Sequence, residues 1–265
     1  PDLSGTRISL AMMAAEELGI PVEKVRAVVA DTDNIGVNSG SGGSRTTFAT
    51  GMTVIEAAQE VVRVMKERAA SVWNVTAEQV DWIDGVAINT AGEGKLTAAE
   101  ICANAARTGG PISGSASVNA RGAGPGFVVH VCDVEVDKET GKVQIVRYTA
   151  IQDAGKAIHP SYVEGQFQGG AMQGAGWALN EEYVYDENGR MENPGFLDYR
   201  IPLASDLPMI ETIIVEVPNP YHPYGVRGVG ESGIIPPLAA VASAVSDAIG
   251  VRISALPCSP TNVLK

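Results

Sequence analysis

The sequence is poor in the residues that build metal or disulfide centres. It has three cysteines, Cys102, Cys132 and Cys258, far apart and without a CxxC pair. That spacing excludes a disulfide framework and any recognisable zinc or iron–sulfur ligand set. The three histidines, His130, His159 and His222, are equally scattered, so any metal is expected to arrive inside an organic cofactor rather than on protein ligands. Basic residues are also scarce: the formal net charge is −12. A phosphate-neutralising surface needs clustered Lys and Arg, so nucleic acid is not an expected partner. No run approaches the roughly 18 uninterrupted apolar residues that a membrane span requires. The chain opens at Pro1 with neither an initiator Met nor a signal-like segment, so any targeting information lies outside this sequence. The expected location is the cytoplasm.

What is present is the composition of a globular chain, 45% apolar and 19% charged over 265 residues. That length suits one or two domains. Residues 7–18 read as an amphipathic helix stopped by Gly19 and Pro21. Val25 to Ala30 reads as a buried strand, and a second helix is expected over about 48–70. Short strands near 80–88 and a helix near 98–106 precede a Gly/Ser-rich linker at 108–117. From Gly126 two strand-like runs flank Lys138-Glu-Thr-Gly141, a hairpin turn. A helix after Pro160 and a second hairpin with Asn188-Gly189 at its tip come next. A strand over 211–217 and a last helix over 237–250 complete the reading. The fold class is α+β, in two mixed subdomains, 1–120 and 121–265.

Three segments have the residues for chemistry. Asn38 to Thr47, NSGSGGSRTT, is expected to join a strand to a helix. Its glycines allow close backbone approach, and a helix N-terminus offers free N–H groups to phosphate. It is neither a P-loop nor a GxGxxG turn, and a plain connector fits the spacing as well. In the helix after Pro160, Gln166 and Gln173 share a face beside Gly165, Gly169, Gly170, Gly174 and Gly176. Each helical glycine costs about 1 kcal/mol relative to Ala. Tight packing against another backbone or against a flat ligand would offset that cost. Finally, Gly225-Val-Arg-Gly-Val-Gly-Glu-Ser-Gly233 sets one carboxylate among glycines. If buried, Glu231 would have a raised pKa suited to taking a proton at neutral pH; an exposed loop or capping glutamate is the alternative.

In this order the segments resemble the molybdopterin-binding large subunit of the xanthine dehydrogenase/aldehyde oxidase family. The resemblance rests on AAEELGIPVEKV, the GSRTT loop, Asp153 to Pro160, Val163 to Gly170, Asn193 to Arg200 and Arg227 to Glu231. It implies a molybdenum-dependent oxidoreductase acting on an aldehyde, an N-heterocycle or a related small molecule, with water as oxygen donor. In that family the glutamate of the Gly-Val-Gly-Glu motif deprotonates a water-derived metal ligand, whose oxygen attacks an electron-poor carbon. That role falls on Glu231. The resemblance assigns Gly43, Ser44, Arg45, Thr46 and Thr47 to the dinucleotide end of molybdopterin cytosine dinucleotide. His159, Gln166, Arg227, Gly228, Val229 and Gly230 lie nearer the pterin. Ser4 and Gly5 fall where relatives often carry Gly-Gln-Gly; Ser4 is too short to reach as that glutamine does. His159 stands in place of the more usual Asn. The implied partners are the N-terminal half of the subunit, an iron–sulfur subunit and an FAD subunit. Large subunits of this family are far longer, so the alternative is a catalytically incomplete fragment serving as a cofactor-binding or assembly module.

Overall fold

The computed structural model describes residues 5–29, 31, 33, 40–122 and 124–265. The chain divides into two compact units, Pro1–Ala123 with Tyr221–Pro223, and Gly124–Pro220 with Tyr224–Lys265.

In the first unit, α1 (Thr6–Leu18) ends where Gly19 turns left-handed at φ 65° and its N–H bonds back to Glu16. Antiparallel strands β1 (Val80–Ile83), β2 (Val86–Asn89) and β3 (Lys95–Thr97) form a small sheet. Between α1 and the sheet comes α2 (Thr46–Trp73), followed after the strands by α3 (Ala98–Ala103) and α4 (Ala105–Thr108). Met65, Ala69 and Ala70 of α2 pack on Val80, Ala87 and Ile101. At the other end of α2, Gly51 lets Met13 of α1 come close; a Cβ there would lie 2.9 Å from the Met13 sulfur. The helix expected over 98–106 is broken at Asn104, whose amide donates to the Glu100 carbonyl. Residues 25–29 take no strand pairing, and Val28 and Val29 are exposed. The expected strand there fails because a ladder needs a neighbour, and none is formed among the described residues. Ala30 lies outside the described residues.

The second unit is built on β4 (Phe127–Val136), β5 (Val143–Asp153) and β6 (Glu211–Val215), in that order across one sheet. β4 and β5 form the expected hairpin. Gly141 is at φ 73°, and the Asp137 carboxylate accepts the N–H groups of Glu139 and Thr140. β6 then joins parallel to β5 after a long connection through α5 (Pro160–Leu179). Pro160 opens α5 at its first turn, where the missing N–H costs nothing. The second hairpin shrinks to a single bridge between Tyr185 and Met191, with Gly189 at φ 76°. α6 (Ile235–Ile249) and α7 (Pro260–Val263) follow.

One sheet face is covered: Ile145, Tyr148 and Ala150 of β5 pack with Phe167, Ala171 and Ala175 of α5 and with Val241 and Val245 of α6. On the other face Phe127, Val129, Val131, Ile213 and Val215 are exposed. Residues Ser232–Ile249 reach the length and apolarity of a membrane span. α6 nonetheless packs as a core helix of this unit, with Val241 and Val245 fully buried.

Candidate functional site

The loop Gly225–Glu231 is held from three sides. Asp153, last residue of β5, is buried and divides its carboxylate. Oδ1 accepts the N–H groups of Gly155 at 2.9 Å and Val217 at 3.0 Å, while Oδ2 faces Arg227 Nε at 3.1 Å. Both side chains of this pair are about nine-tenths buried, at 10% and 9% exposure. Arg227 also donates to the carbonyls of Val217 and Pro125. A buried guanidinium thus has one carboxylate and two carbonyls around it, and its planar fork suits that arrangement.

Main-chain contacts complete the hold. The Gly225 carbonyl accepts the N–H groups of Lys156 and Asn219, and Arg227 N–H donates to Ala154. Asn219, 2% exposed, donates its amide to Val226. Gly155 is at φ 61°, and a Cβ there would sit 2.1 Å from the Gly225 oxygen. No other residue tolerates both that torsion and that contact. Beyond β5, the Ala157 N–H donates to Glu216, which holds this carboxyl below its ordinary value.

Glu231 lies at the end of the loop, exposed, and caps the 3-10 turn Ser232–Ile234. The described residues do not bury this carboxylate. The turn rests on α5: a Cβ at Gly170 would come within 2.7 Å of Gly233. Gly174 meets Pro237 in the same way. Gly170 serves tight packing against backbone and Gly174 against the Pro237 ring, whereas a Cβ at Gly165 or Gly169 would meet nothing within 4 Å among the described residues. Gln166 is half-buried and Gln173 is exposed. His159 caps α5, stacks on Tyr162 with centroids 4.0 Å apart, and has a buried Nδ1 with no hydrogen-bond partner among the described residues.

In the first unit, Ser4 lies outside the described residues. Gly5 is at φ 81° ahead of α1. Gly43 (φ 62°) and Ser44 (φ 54°) are consecutive left-handed residues. Arg45 caps α2 without a side-chain bond to the helix and reaches the Ala120 carbonyl at 3.5 Å. Thr46 bonds Ser41 at 3.2 Å, and Thr47 is half-buried. Among the described residues, nothing lies within 4 Å of where a Cβ would stand at Gly40, Gly42 and Gly43. Asn38 and Ser39, expected to open this loop, lie outside the described residues. Gly5 and Gly43 to Thr47 therefore belong to one unit, and His159, Gln166 and Arg227 to Glu231 to the other.

Residues 4–208 match the molybdopterin cofactor-binding domain. The chain belongs to that family. It is 33% identical over 263 residues to a putative xanthine dehydrogenase molybdenum-binding subunit of Escherichia coli. That alignment covers 97% of the chain and 35% of the relative. It is equally 33% identical to the gamma subunit of the 6-hydroxypseudooxynicotine dehydrogenase complex of Paenarthrobacter nicotinovorans, covering 98% and 34%. Its fold superposes on quinoline 2-oxidoreductase of Pseudomonas putida 86 with a TM-score of 0.88 at 29% identity, covering 99% and 35%. The chain thus spans about a third of the length of these relatives.

The residues present fit the family's cofactor. The left-handed pair at Gly43 and Ser44 stands ahead of a helix start without a side-chain cap, the kind of main-chain geometry that can receive a phosphate. The unpartnered His159 nitrogen is a polar atom of the kind a pterin can satisfy. Among the described residues no three His, Cys, Asp or Glu side chains gather to hold a metal. Sequence reasoning does not single out Gln152 or Gly155 as parts of this site, because their partners are remote in the chain, nor Asn219, whose amide closes a local loop onto Val226. Only the run Asp153 to Pro160 hints at them.

Proposed function

We propose that the chain is the C-terminal part of the molybdenum subunit of a multi-subunit hydroxylase. It oxidises an aldehyde, an N-heterocycle or a related small molecule with water as oxygen donor. The observation that carries this reading is Glu231. It is a carboxylate at the exposed end of a loop fixed by a buried ion pair and main-chain contacts, in a chain of the molybdopterin-binding family. Preorganised placement of a proton acceptor contributes about 10²- to 10⁴-fold to rate. When bound, the molybdenum centre supplies the two-electron acceptor. Glu231 takes the proton, and Arg227 to Gly230 hold its main chain in place. His159 and Gln166 bind toward the pterin, with the open track of Gly165 and Gly169 beside them. Gly43 to Thr47 bind the dinucleotide end, as molybdopterin cytosine dinucleotide. Relatives named as subunits of larger enzymes support an assembly with partner subunits. We assign these as an iron–sulfur and an FAD subunit, in a cytoplasmic complex. The remaining pocket comes from the N-terminal part of the subunit.

In the complete enzyme Glu231→Gln lowers turnover by at least about 100-fold with molybdenum and pterin content unchanged. Retained turnover overturns the assignment. The chain's span of about a third of its relatives favours a second reading, a cofactor-binding or assembly module without turnover of its own. Metal analysis and absorbance of the purified chain test it: bound molybdenum with turnover rules it out.

A further inference from the structure

Gln152 is 1% exposed, one residue before Asp153 on β5. Its Nε2 donates to Ser232 Oγ at 2.6 Å and to the Gly228 carbonyl at 3.3 Å. These two partners bracket Glu231. Gly228 lies three residues before it and Ser232 immediately after, so one amide spans the segment that presents the carboxylate. The orientation of the amide is fixed by chemistry. A carbonyl oxygen accepts only, so the group facing Gly228 has to be the NH₂ end.

Two further observations point the same way. Oε1 is buried with no hydrogen-bond partner among the described residues. An unsatisfied buried acceptor is costly, and a leucine of similar size would avoid it. Glutamine is the better residue here only if its two donated bonds are needed. The second observation is Gly126, whose lack of a side chain gives the clamp its room. A Cβ at that position would come within 3.1 Å of the Gly228 oxygen, 3.4 Å of Ser232 Oγ and 3.5 Å of Gln152 Nε2.

We infer that Gln152 is a positioning residue, with Ser232 as its partner, that fixes the backbone on both sides of Glu231 and so aims the carboxylate. This rests on the proposed role of Glu231. Asp153 anchors the start of the loop through Arg227, and its neighbour Gln152 anchors the end.

The test uses the complete holoenzyme carrying Gln152→Leu, Ser232→Ala or both, with molybdenum content measured in each. Hydrogen exchange of peptides covering 226–235 should accelerate about tenfold in Gln152→Leu and less in Ser232→Ala. The double variant should match Gln152→Leu, since the one bond lost in Ser232→Ala is already lost in Gln152→Leu. Turnover should fall about tenfold with KM within twofold, because aim rather than binding is lost. Gln152→Glu, which keeps the length but places an acceptor against the Gly228 carbonyl, should not rescue it. Unchanged exchange, additive effects in the double variant, or faster exchange with full turnover overturns the proposal. Glu231→Gln is run in parallel: if it keeps turnover, the base assignment fails, while the exchange data still decide whether the clamp exists.

Discussion

Removing the Asp153 carboxylate should be among the most damaging single changes in the second unit. Asp153→Ala strips the acceptor from two N–H groups, Gly155 and Val217. It also leaves the Arg227 guanidinium buried without its anion. An unsatisfied buried donor costs about 1–3 kcal/mol. Breaking a buried pair on one side costs about 3–5 kcal/mol. Arg227 keeps the carbonyls of Val217 and Pro125, which lowers the second figure. The two penalties overlap, since the one-sided loss of a buried pair already includes its unpaired neighbours, so a total of about 3–5 kcal/mol is expected, a large share of the roughly 5–15 kcal/mol that holds a domain folded. Asp153→Asn should cost less, because an amide oxygen still accepts both N–H groups. The double variant Asp153→Ala/Arg227→Met removes the stranded charge and should be less destabilised than the sum of its singles. Urea denaturation, with hydrogen exchange of peptides covering 143–156 and 217–231, reads each value. A loss under about 1 kcal/mol for Asp153→Ala, or strict additivity in the double variant, would refute the reasoning.

Two further predictions concern buried titratable groups. Burial holds His130 down to about 4, and its Nδ1 lies 2.8 Å from the Tyr148 hydroxyl. As pH falls from about 6.5 to 4, the unfolded chain takes up a proton that the folded one refuses, so stability declines through that window. The loss is about 1–3 kcal/mol at 1.36 kcal/mol per unit, with His222 shifted the same way by burial. His130→Gln should flatten the decline in acid denaturation curves, and an unaltered slope would contradict the assignment. Among the thiols, burial pushes Cys132 up to about 12, with Asp133 adding to it, and also raises Cys258; Cys102 is exposed. Alkylation at neutral pH should therefore label Cys102 first. Labelling of Cys132 at the same rate would show that its thiol is not shielded by burial.

Local signals were readable where a single residue enforces them. Pro160 starts α5 and Gly19 ends α1 because each has a torsion or a missing donor that decides the matter by itself. The hairpin at 138–141 was legible for the same reason, through Gly141. The run Val25 to Ala30 misled, since six apolar-rich residues look alike whether or not a partner strand lies beside them. The parallel pairing of β6 with β5 spans some sixty residues, from Thr149 to Glu211, and no local pattern encodes it. At the site, the motif made Glu231 visible. Gln152 and Ser232 stand 80 positions apart, and an ordinary glutamine at a strand end gives no sign of its distant partner. The same holds for Gly155, whose need for glycine comes from the Gly225 carbonyl and not from its neighbours.

The way the loop is held also sets how it responds to heat. Apolar packing of the Phe167, Val241 and Val245 kind weakens on cooling, because its driving force has a large heat capacity. The loop is tied instead by a buried ion pair, backbone hydrogen bonds and one amide, and Val226 is its main buried apolar side chain. Opening it would expose little apolar surface, so the free energy of opening should vary almost linearly with temperature while that of the core follows a dome. The carboxylate at the loop's end is then kept on aim in the cold, where the rest of the unit has begun to soften.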